Sequence, residues 1–365
     1  MNELQRILHT FEQTQQLGQR AVLATVVRTS GSVYRRPGAR MLVTDDGRRV
    51  SAISGGCLEA DIAERSRLLI AAETDDSMLV RYDTTSSEDI VFGFGLGCNG
   101  VVDVLIESLN TASVSQLHFI QNCFHDQKIG AIATVFSVTG ITNVKVGDRV
   151  MMTFDAPVIN SIGNSEVAQT ITLDLQKSLI EQKTHTLTYP FPTGQIDVLL
   201  EIIRPPVPLL ICGAGYDAVP VVQFAKQLGW HVTVIDHRPE LLSRDRFPTA
   251  DQLLKCIPEK NQTYRHLLTP QTVAIVMTHQ YLKDLAFLKT LIPASLRYLG
   301  ILGPKRRMQK LWQDLSEHQI MPTFEQQQRL YNPIGLDIGA ETPEEIALAI
   351  VAEIQAVLAG RSGHF

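Results

Sequence analysis

A run of prolines divides the chain into two parts. Arg204-Pro205-Pro206-Val207-Pro208 cannot continue a helix or a central strand, because proline lacks an N–H donor and its ring clashes with the preceding turn. Hydrophobic residues follow different patterns on the two sides of this segment. It therefore predicts two domains, residues 1–203 and 207–365, which a length of 365 residues also favours.

After the prolines, short apolar strands alternate with helical segments. Strands are expected at 209–212, 231–236, 272–279 and 296–303, and a last helix at about 343–358. Strands that alternate with helices of this length predict a parallel sheet covered on both faces. We therefore expect a C-terminal Rossmann-like domain with a mostly parallel sheet.

The first half of the chain has strand-like segments separated by glycine, asparagine and aspartate. They predict an α+β domain rich in antiparallel strands. Helices are expected at the amino terminus, at about 58–72 and near 174–182. We find no internal repeat in the sequence. The fold class expected for the whole chain is α/β, with the antiparallel domain first.

Composition excludes several classes of protein. Hydrophobic residues make up 44% and charged residues 19%, as in a globular chain rather than a disordered or coiled-coil one. A net charge of −5 argues against a broad nucleic-acid-binding face. No apolar run approaches the roughly 18 residues of a membrane span, and the amino terminus lacks the apolar core of a signal peptide. We expect a cytoplasmic protein with no nucleic-acid or membrane partner.

A glycine-rich turn opens the second half. Gly213-Ala214-Gly215-Tyr216-Asp217-Ala218 follows a predicted strand and begins a helix, which matches the GxGxxA pattern of dinucleotide sites. Asp236 ends the next strand. In dinucleotide sites, a carboxylate at this position contacts the ribose diol. Asp217, however, places a negative charge near the pyrophosphate position. Binding of NAD(P) or FAD and a turn that only packs both remain open.

Further candidates follow the later strands. Ligands of open parallel sheets bind beyond the carboxyl ends of the strands. This geometry would gather Gly213, Gly215, Asp236, Thr278, His279, Gly303, Lys305 and Arg306 around one crevice. His279 is a candidate acid–base group or hydrogen-bond donor, and the two cations are a candidate anion site. A histidine bonded to backbone and solvent-exposed cations are the alternatives.

Two glycine–cysteine loops stand out in the first half. In Ser54-Gly55-Gly56-Cys57-Leu58-Glu59 the glycines lie just before a helix, so Cys57 is expected in its first turn, where backbone N–H groups and the helix dipole favour a thiolate. Gly95-Leu96-Gly97-Cys98-Asn99-Gly100 is the second loop. A thiolate in either loop could hold a soft metal, accept sulfur or act as a nucleophile; simple packing is the alternative. Cys123, Cys212 and Cys256 lie in or beside apolar segments and are expected in the core.

A turn between two strands of the first half is rich in arginine. It runs from Gly31 to Arg40 and contains Arg35 and Arg36. Guanidinium groups suit phosphate or carboxylate ligands, and the neighbouring glycines would let a ligand approach closely. A solvated hairpin turn is the alternative.

Several segments, taken in order, resemble the XdhC/CoxI family of accessory proteins for molybdenum hydroxylases. The similarity covers both ends of the chain and is weakest across about 110–200. The matching segments are GSVYRRPGARMLV, ISGGCLE, GLGCNG, LLICGAGYDAVPV, VTVIDHRPE, MTHQYLKDLAFL, YLGILGPKRR and PIGLDIGAETPEEIALAI.

This resemblance implies a carrier more than a turnover enzyme. Such a protein binds the molybdenum cofactor (molybdopterin), supports its sulfuration with a cysteine desulfurase and delivers it to an apo molybdenum hydroxylase of the xanthine dehydrogenase type. A homodimer would suit this role. The residues expected to bind the cofactor are those of the arginine turn, the glycine–cysteine loops and the crevice: Arg35, Arg36, Gly55, Gly56, Cys57, Glu59, Gly97, Cys98, Gly213, Gly215, Asp236, Thr278, His279, Gly303, Lys305 and Arg306.

Within that set, Cys57 and Cys98 are the candidate contacts to molybdenum. An NAD(P)-dependent oxidoreductase or nucleotide-binding protein that uses the Rossmann-like domain is the alternative function. An adaptor that docks the hydroxylase and carries nothing is a third.

Overall fold

The computed structural model divides the chain into two compact units. The N-terminal unit comprises Glu3–Pro205, and the C-terminal unit comprises Pro206–Phe365 together with Met1–Asn2. The structure describes residues 2–72, 76–83, 100–109, 111–140, 143–192, 194–260 and 263–361.

The N-terminal unit is built from antiparallel strands and four helices that the structure describes. The helices are α1 (Glu3–Gln16), α2 (Glu59–Ala72), α3 (Thr111–His125) and α4 (Ser165–Glu181). The strands are β1 (Ala21–Gly31), β2 (Arg40–Thr44), β3 (Arg49–Val50), β4 (Ser77–Asp83), β5 (Gly100–Ser108), β6 (Gly130–Thr139), β7 (Arg149–Thr153), β8 (Ile159–Asn160), β9 (His185–Phe191) and β10 (Gly194–Ile203). The expectation of one helix near 174–182 was too narrow, because α4 is longer and α3 was missed.

The strands form two sheets that are copies of one motif. The first sheet has the order β3-β2-β1-β5-β4, and the second has the order β8-β7-β6-β10-β9. In each copy a helix precedes the first strand, and another lies between the third and fourth strands. The expectation that the chain has no internal repeat was therefore wrong.

Short sequence motifs mark the repeat. Gly-x-x-Asp-Val-Leu-x-Glu occurs at 100–107 and at 194–201. These segments lie in the fifth strand of each copy, β5 and β10, which pairs with the first strand of that copy. Gly-x-Arg occurs at 38–40 and at 147–149, where the second strand of each copy begins. The helices of the two copies share their pattern of buried positions and little sequence, such as Leu8-His9 in α1 and Leu117-His118 in α3.

One face of each sheet packs against the other sheet. Successive side chains of a strand point to opposite faces, and Val22, Ala24 and Val26 of β1 pack in the cluster that contains Ile62 of α2. The intervening Leu23 shares a cluster with Ile132 of the second sheet. Helix α4 covers the outer face of the second sheet in the corresponding way.

Two buried ion pairs cross between the sheets. Arg40 donates to both carboxylate oxygens of Glu201, each at 2.6 Å, and Arg149 donates to both oxygens of Glu107 at 2.6–2.7 Å. All four side chains are buried. Each copy of the motif thus supplies one arginine and one glutamate to the other copy.

We expect Arg40→Met to destabilise the N-terminal unit strongly, since it leaves the Glu201 carboxylate buried without its partner. Loss of one partner of a buried ion pair lowers the free energy of unfolding by about 3–5 kcal/mol. The double variant Arg40→Met/Glu201→Met should recover most of this loss, because no unpaired buried charge remains at this position. Urea denaturation of the three proteins measures both differences.

Arg67→Met is the control, because Arg67 pairs with Glu64 on the surface with both side chains more than half exposed. It should change the free energy of unfolding by less than about 1 kcal/mol. If Arg40→Met were as stable as Arg67→Met, the ion pairs between the sheets would not contribute to the stability of the N-terminal unit as proposed.

The C-terminal unit contains one parallel sheet. Its strands are β11 (Pro208–Cys212), β12 (His231–Asp236), β13 (Gln252–Lys255), β14 (Val273–Val276), β15 (Tyr298–Ile301) and β16 (Leu330–Tyr331). Its helices are α5 (Ala218–Gln227), α6 (Tyr281–Leu291), α7 (Lys305–Glu317), α8 (Phe324–Gln327) and α9 (Pro343–Leu358), with short 3-10 turns at Pro239–Leu241 and Arg265–Leu267.

The strand order β13-β12-β11-β14-β15-β16 is that of a doubly wound Rossmann sheet. Helices α5 and α9 pack on one face of the sheet, and α6 and α7 pack on the other. The predicted fold class is therefore confirmed, with antiparallel sheets first and a parallel sheet second. The order changes direction between β11 and β14, where ligands of this fold bind.

Local signals in the sequence explain several element ends. Pro208 is the first residue of β11, a position that proline can occupy in a central strand. Thr342 caps α9 by accepting a hydrogen bond from the Glu345 backbone, and Pro343 occupies the first turn. Among the helices described, none is both long and apolar enough to cross a membrane.

Candidate functional site

The first candidate site is the loop Ser54–Glu59, which leads into α2 and holds the thiol of Cys57. Helix α2 begins at Glu59, so Cys57 precedes the first turn instead of lying within it. The Ser54 hydroxyl oxygen accepts hydrogen bonds from the backbone N–H groups of Gly56 (3.1 Å) and Leu58 (3.2 Å), and lies 3.4 Å from the Cys57 sulfur. Cys57 is partly buried and packs against the apolar cluster that contains Ile62.

Glu59 holds this loop in shape. Its carboxylate accepts hydrogen bonds from the backbone N–H groups of Ile53 (3.1 Å) and Ser54 (2.7 Å) and from the Ser54 hydroxyl. Burial alone would raise the pKa of Glu59, but these hydrogen bonds to Ser54 and Ile53 outweigh it and hold the pKa below its ordinary value of 4.5. Glu59 therefore holds the loop backbone in this structure. The Ser54 hydroxyl connects the Glu59 carboxylate to the backbone N–H groups of Gly56 and Leu58, and sequence reasoning did not single it out.

The arginine turn meets the same loop. A Cβ atom added to Gly55 would lie 3.9 Å from the ring of Tyr34. Arg35 is bound to the carboxylate of Glu3, with Nη1 2.7 Å from Oε1. Arg36 is exposed and has no acidic partner in the part of the chain that the structure describes.

An open groove of about 430 Å³ lies beside this turn, and Tyr34, Arg36 and Gly38 form part of its wall. Thr184 and Ile202, from the second copy of the motif, form the opposite part. The groove thus has the exposed Arg36 side chain in its wall together with Tyr34, whose ring also lies near Gly55 of the glycine–cysteine loop.

The other cysteines differ from Cys57. Cys123, Cys212 and Cys256 are buried, which confirms the expectation that they belong to the core. Burial raises the pKa of the Cys123 and Cys256 thiols to about 11, so neither is a reactive thiolate. Gly97 and Cys98 lie outside the described residues. Within those residues no group of three side chains could hold a metal ion.

We expect Glu59→Gln to loosen the loop, since the amide replaces one acceptor oxygen with a donor. Disturbing a buried hydrogen-bonded carboxylate should cost about 1–3 kcal/mol near pH 7. The pKa of Glu59 is lower in the folded protein than in the unfolded chain, so its stabilising effect is present above the unfolded pKa and disappears as the pH falls through the folded pKa. The difference in stability between the two proteins should therefore shrink from about pH 6 to about pH 3.

Urea denaturation at several pH values measures this difference. Glu64→Gln, at an exposed position on the same helix, should show only a small difference throughout. A Glu59→Gln deficit that is equally large at acid pH would contradict the assigned role of the carboxylate.

The second candidate site is the glycine turn after β11. Gly213 has a φ of +126°, and a Cβ atom there would lie 2.4 Å from the carbonyl oxygen of Met277, so only glycine fits. The Ala214 N–H donates to Asp236 at 2.7 Å. The turn is therefore pressed against the end of β14 and tied to the end of β12.

Asp236 is fully engaged by the protein itself. One carboxylate oxygen accepts from the backbone N–H (2.8 Å) and Nε (3.0 Å) of Arg238, and the other accepts from Ala214 and from Arg238 Nη2 (2.9 Å). Burial would raise the pKa of Asp236, but Arg238 and these N–H donors hold it below its usual range. The side chain is buried, so a ribose would have to displace these contacts to reach it.

Asp217 and His279 form a pair over the turn. His279 Nε2 lies 2.7 Å from Asp217 Oδ2, and the His279 backbone has a left-handed φ of +58°. A Cβ atom on Gly215 would meet both side chains, at 2.5 Å from Asp217 Oδ1 and 3.4 Å from His279 Cδ2. Sequence reasoning singled out the two residues separately but not their contact.

Tyr216 lies at the tip of the turn and is 85% exposed. The guanidinium of Arg246 lies 5.3 Å from the centre of its ring and donates to the carbonyl oxygens of Ala214 and Leu241, each at 2.9 Å. Arg246 was not predicted, because nothing near it in the sequence marks it as a partner of a turn formed by distant residues.

The remaining candidates lie at the ends of β14 and β15. The Thr278 hydroxyl donates to Asp284, and Arg307 binds the other oxygen of that carboxylate. Lys305 and Arg306 are exposed in the first turn of α7, without an acidic partner among the described residues. The structure thus brings Gly213, Gly215, Asp236, Thr278 and His279 together, with Gly303 beside Arg307. Asp284, which holds Thr278 and Arg307, was not predicted.

Comparison with known proteins identifies relatives along the whole chain. The family model described as the XdhC Rossmann domain matches residues 209–354, and that described as the XdhC and CoxI family matches residues 14–83. The chain is 33% identical over 334 residues to a Bacillus subtilis (strain 168) protein named as a probable subunit of xanthine dehydrogenase, with 92% of each protein covered.

Two further proteins are similar over most of their length. The chain is 24% identical over 348 residues to the molybdenum cofactor insertion chaperone PaoD of Escherichia coli (strain K12), covering 93% of this chain and 84% of that protein. A crystal structure described as a xanthine dehydrogenase from Bacillus halodurans matches with a TM-score of 0.79 and 29% identity, covering 99% of this chain and 97% of the other.

Proposed function

The chain belongs to the XdhC and CoxI family, and on that premise we propose that it carries the molybdenum cofactor to a molybdenum hydroxylase of the xanthine dehydrogenase type. The partly exposed Cys57, in a glycine loop that lies near Tyr34 of the arginine turn, is the observation that supports this role most directly. The similarity to a protein named as a molybdenum cofactor insertion chaperone points in the same direction.

The chemistry of these residues fits such a cargo. The cofactor is a pterin whose dithiolene supplies sulfur ligands to molybdenum, so the carrier needs to add few ligands of its own. A single thiolate is a suitable soft ligand for that metal. A guanidinium fork suits the phosphate of the pterin. We therefore assign Cys57 to the metal side of the cargo and Arg36 to the phosphate, with Gly55 and Gly56 allowing close approach.

The other parts of the proposal concern partners and location. Sulfuration of the cofactor would involve a cysteine desulfurase, and delivery would involve the apo hydroxylase. Cys98 is retained as a second proposed contact to the metal. The exposed side chains of His279, Lys305 and Arg306 are proposed contacts for the cargo or its recipient. A homodimer in the cytoplasm completes the proposal.

We expect Cys57→Ser to lower the molybdenum content of the protein when it is purified anaerobically from a host that makes the cofactor. The hydroxyl is similar in shape to the thiol and somewhat smaller, but it is a harder and much weaker ligand for a soft metal. A loss of about tenfold in affinity corresponds to about 1.4 kcal/mol, within the range of one lost ligand. Elemental analysis measures molybdenum, and fluorescence after oxidation measures pterin.

Cys256→Ala is the matched control, since it also removes one thiol but from a buried position in the other unit. It should retain the cofactor. Equal retention by Cys57→Ser and the wild type would remove Cys57 from the proposal.

We expect Arg36→Gln to weaken binding of the pterin phosphate while leaving the fold intact, because Arg36 is exposed and has no acidic partner among the described residues. A lost charge-assisted hydrogen bond should weaken binding about tenfold. Pterin retained after gel filtration measures the effect.

Arg48→Gln, at an exposed position in the following β2–β3 turn, is the control that removes the same charge. A loss of pterin in both variants would indicate a general effect of net charge and would count against a phosphate contact at Arg36.

A nicotinamide-dependent oxidoreductase is the second candidate, favoured by the glycine turn after β11. The geometry supports it less, because Asp236 is buried and its oxygens are taken up by Ala214 and Arg238. Isothermal titration with NADH and NADPH is the test. Tight binding followed by hydride transfer would favour this candidate, and absence of binding would end it.

A further inference from the structure

We propose that Asp217 determines the ligand specificity of the glycine turn by excluding dinucleotides and other pyrophosphate ligands from it. The proposal concerns the C-terminal unit alone and does not depend on the carrier function. It follows from the backbone geometry of the turn, the position of the Asp217 carboxylate, and the burial and hydrogen bonds of Asp236.

The backbone of the turn is built like a phosphate site. It connects a parallel strand, β11, to the N-terminus of a helix, α5, and has glycine at 213 and 215. In dinucleotide sites the second glycine lets the pyrophosphate approach the backbone, and the positive end of the helix dipole favours its charge. By backbone alone, the turn would accept an anion.

A side chain of the protein occupies that approach. Oδ1 of Asp217 lies so close to Gly215 that a Cβ atom there would be 2.5 Å away. This oxygen is buried and has no hydrogen-bond partner in the part of the chain that the structure describes. The space above the second glycine thus contains a carboxylate, which repels a phosphate and stands in its place.

Helix capping does not account for this carboxylate. Asp217 is the N-cap residue of α5, where an aspartate normally accepts a hydrogen bond from the first turn of the helix, but it makes no such bond. Its other oxygen is held instead by His279 Nε2 at 2.7 Å. His279 makes this contact from a left-handed backbone, a conformation that is costly for a residue with a side chain and that clusters at functional sites.

The ribose position is closed as well. Asp236 occupies the place from which an acidic residue binds the ribose diol, yet its oxygens accept from Ala214 and Arg238 and its side chain is buried. Both contacts that a dinucleotide needs are therefore made by the protein's own groups. The fold is that of a nucleotide-binding domain, but side chains of the protein itself occupy the positions around the glycine turn.

Asp217→Asn tests this proposal through a gain of binding, which an unfolded variant could not produce. Isothermal titration with ADP-ribose, which has a pyrophosphate and no nicotinamide, should detect weak or no binding to the wild type. The variant should bind at least about tenfold more tightly, since a like charge a few ångströms from the anion is removed. Adenosine, which lacks the pyrophosphate, should show no such difference.

Three further variants control the experiment. Glu317→Gln changes the net charge equally at an exposed position in the last turn of α7 and should not gain binding. His279→Gln keeps the Asp217 carboxylate and should also not gain binding. Asp217→Ser removes the charge with a different side chain, one that caps helices well, and should gain binding as the asparagine variant does.

Two results would overturn the proposal. One is binding of ADP-ribose by the wild type as tight as by the Asp217 variants. The other is a failure of both Asp217→Asn and Asp217→Ser to bind ADP-ribose more tightly than Glu317→Gln does.

Discussion

The N-terminal unit depends on the two ion pairs that cross between its sheets. Arg40 with Glu201, and Arg149 with Glu107, are buried where one copy of the motif meets the other. Neither copy contains a complete pair, so each needs the other to neutralise its buried charges. Arg40 also donates to the carbonyl oxygen of Gly38 at 3.0 Å, which anchors the end of the arginine turn. The interaction that joins the two copies therefore also positions the turn beside the Cys57 loop.

The two candidate sites use hydrogen bonds in different ways. Around Cys57, Ser54 and Glu59 satisfy the neighbouring backbone N–H groups, and Cys57 stays partly exposed with its sulfur 3.4 Å from the Ser54 hydroxyl. Around Gly213, Asp217 and Asp236 instead occupy the positions that a dinucleotide would take. The Rossmann-type unit of this chain thus has a glycine turn that is filled by the protein itself.

Much of the fold was predictable from the sequence, because its signals are local. The prolines at 205–208 and the strands and helices that alternate after them predicted the parallel unit, since each signal depends on residues near in sequence. The internal repeat and α3 were missed. The repeat is visible in a few strand motifs, such as those at 100–107 and 194–201, while the helices preserve little more than which positions are buried. Comparing the two motifs directly would have revealed it.

What the sequence alone determined is the type of each unit, the chemistry available in each loop and the family to which the chain is similar. The tertiary structure decided which of those groups remain free. Arg35 is bound to Glu3 while Arg36 is exposed, and Asp236 is closed by Arg238 while Asp217 faces Gly215. Motifs report residue types along the chain. Whether a charged group is available depends on partners brought to it by folding, because a buried charge must find a counter-charge or donor wherever the fold provides one.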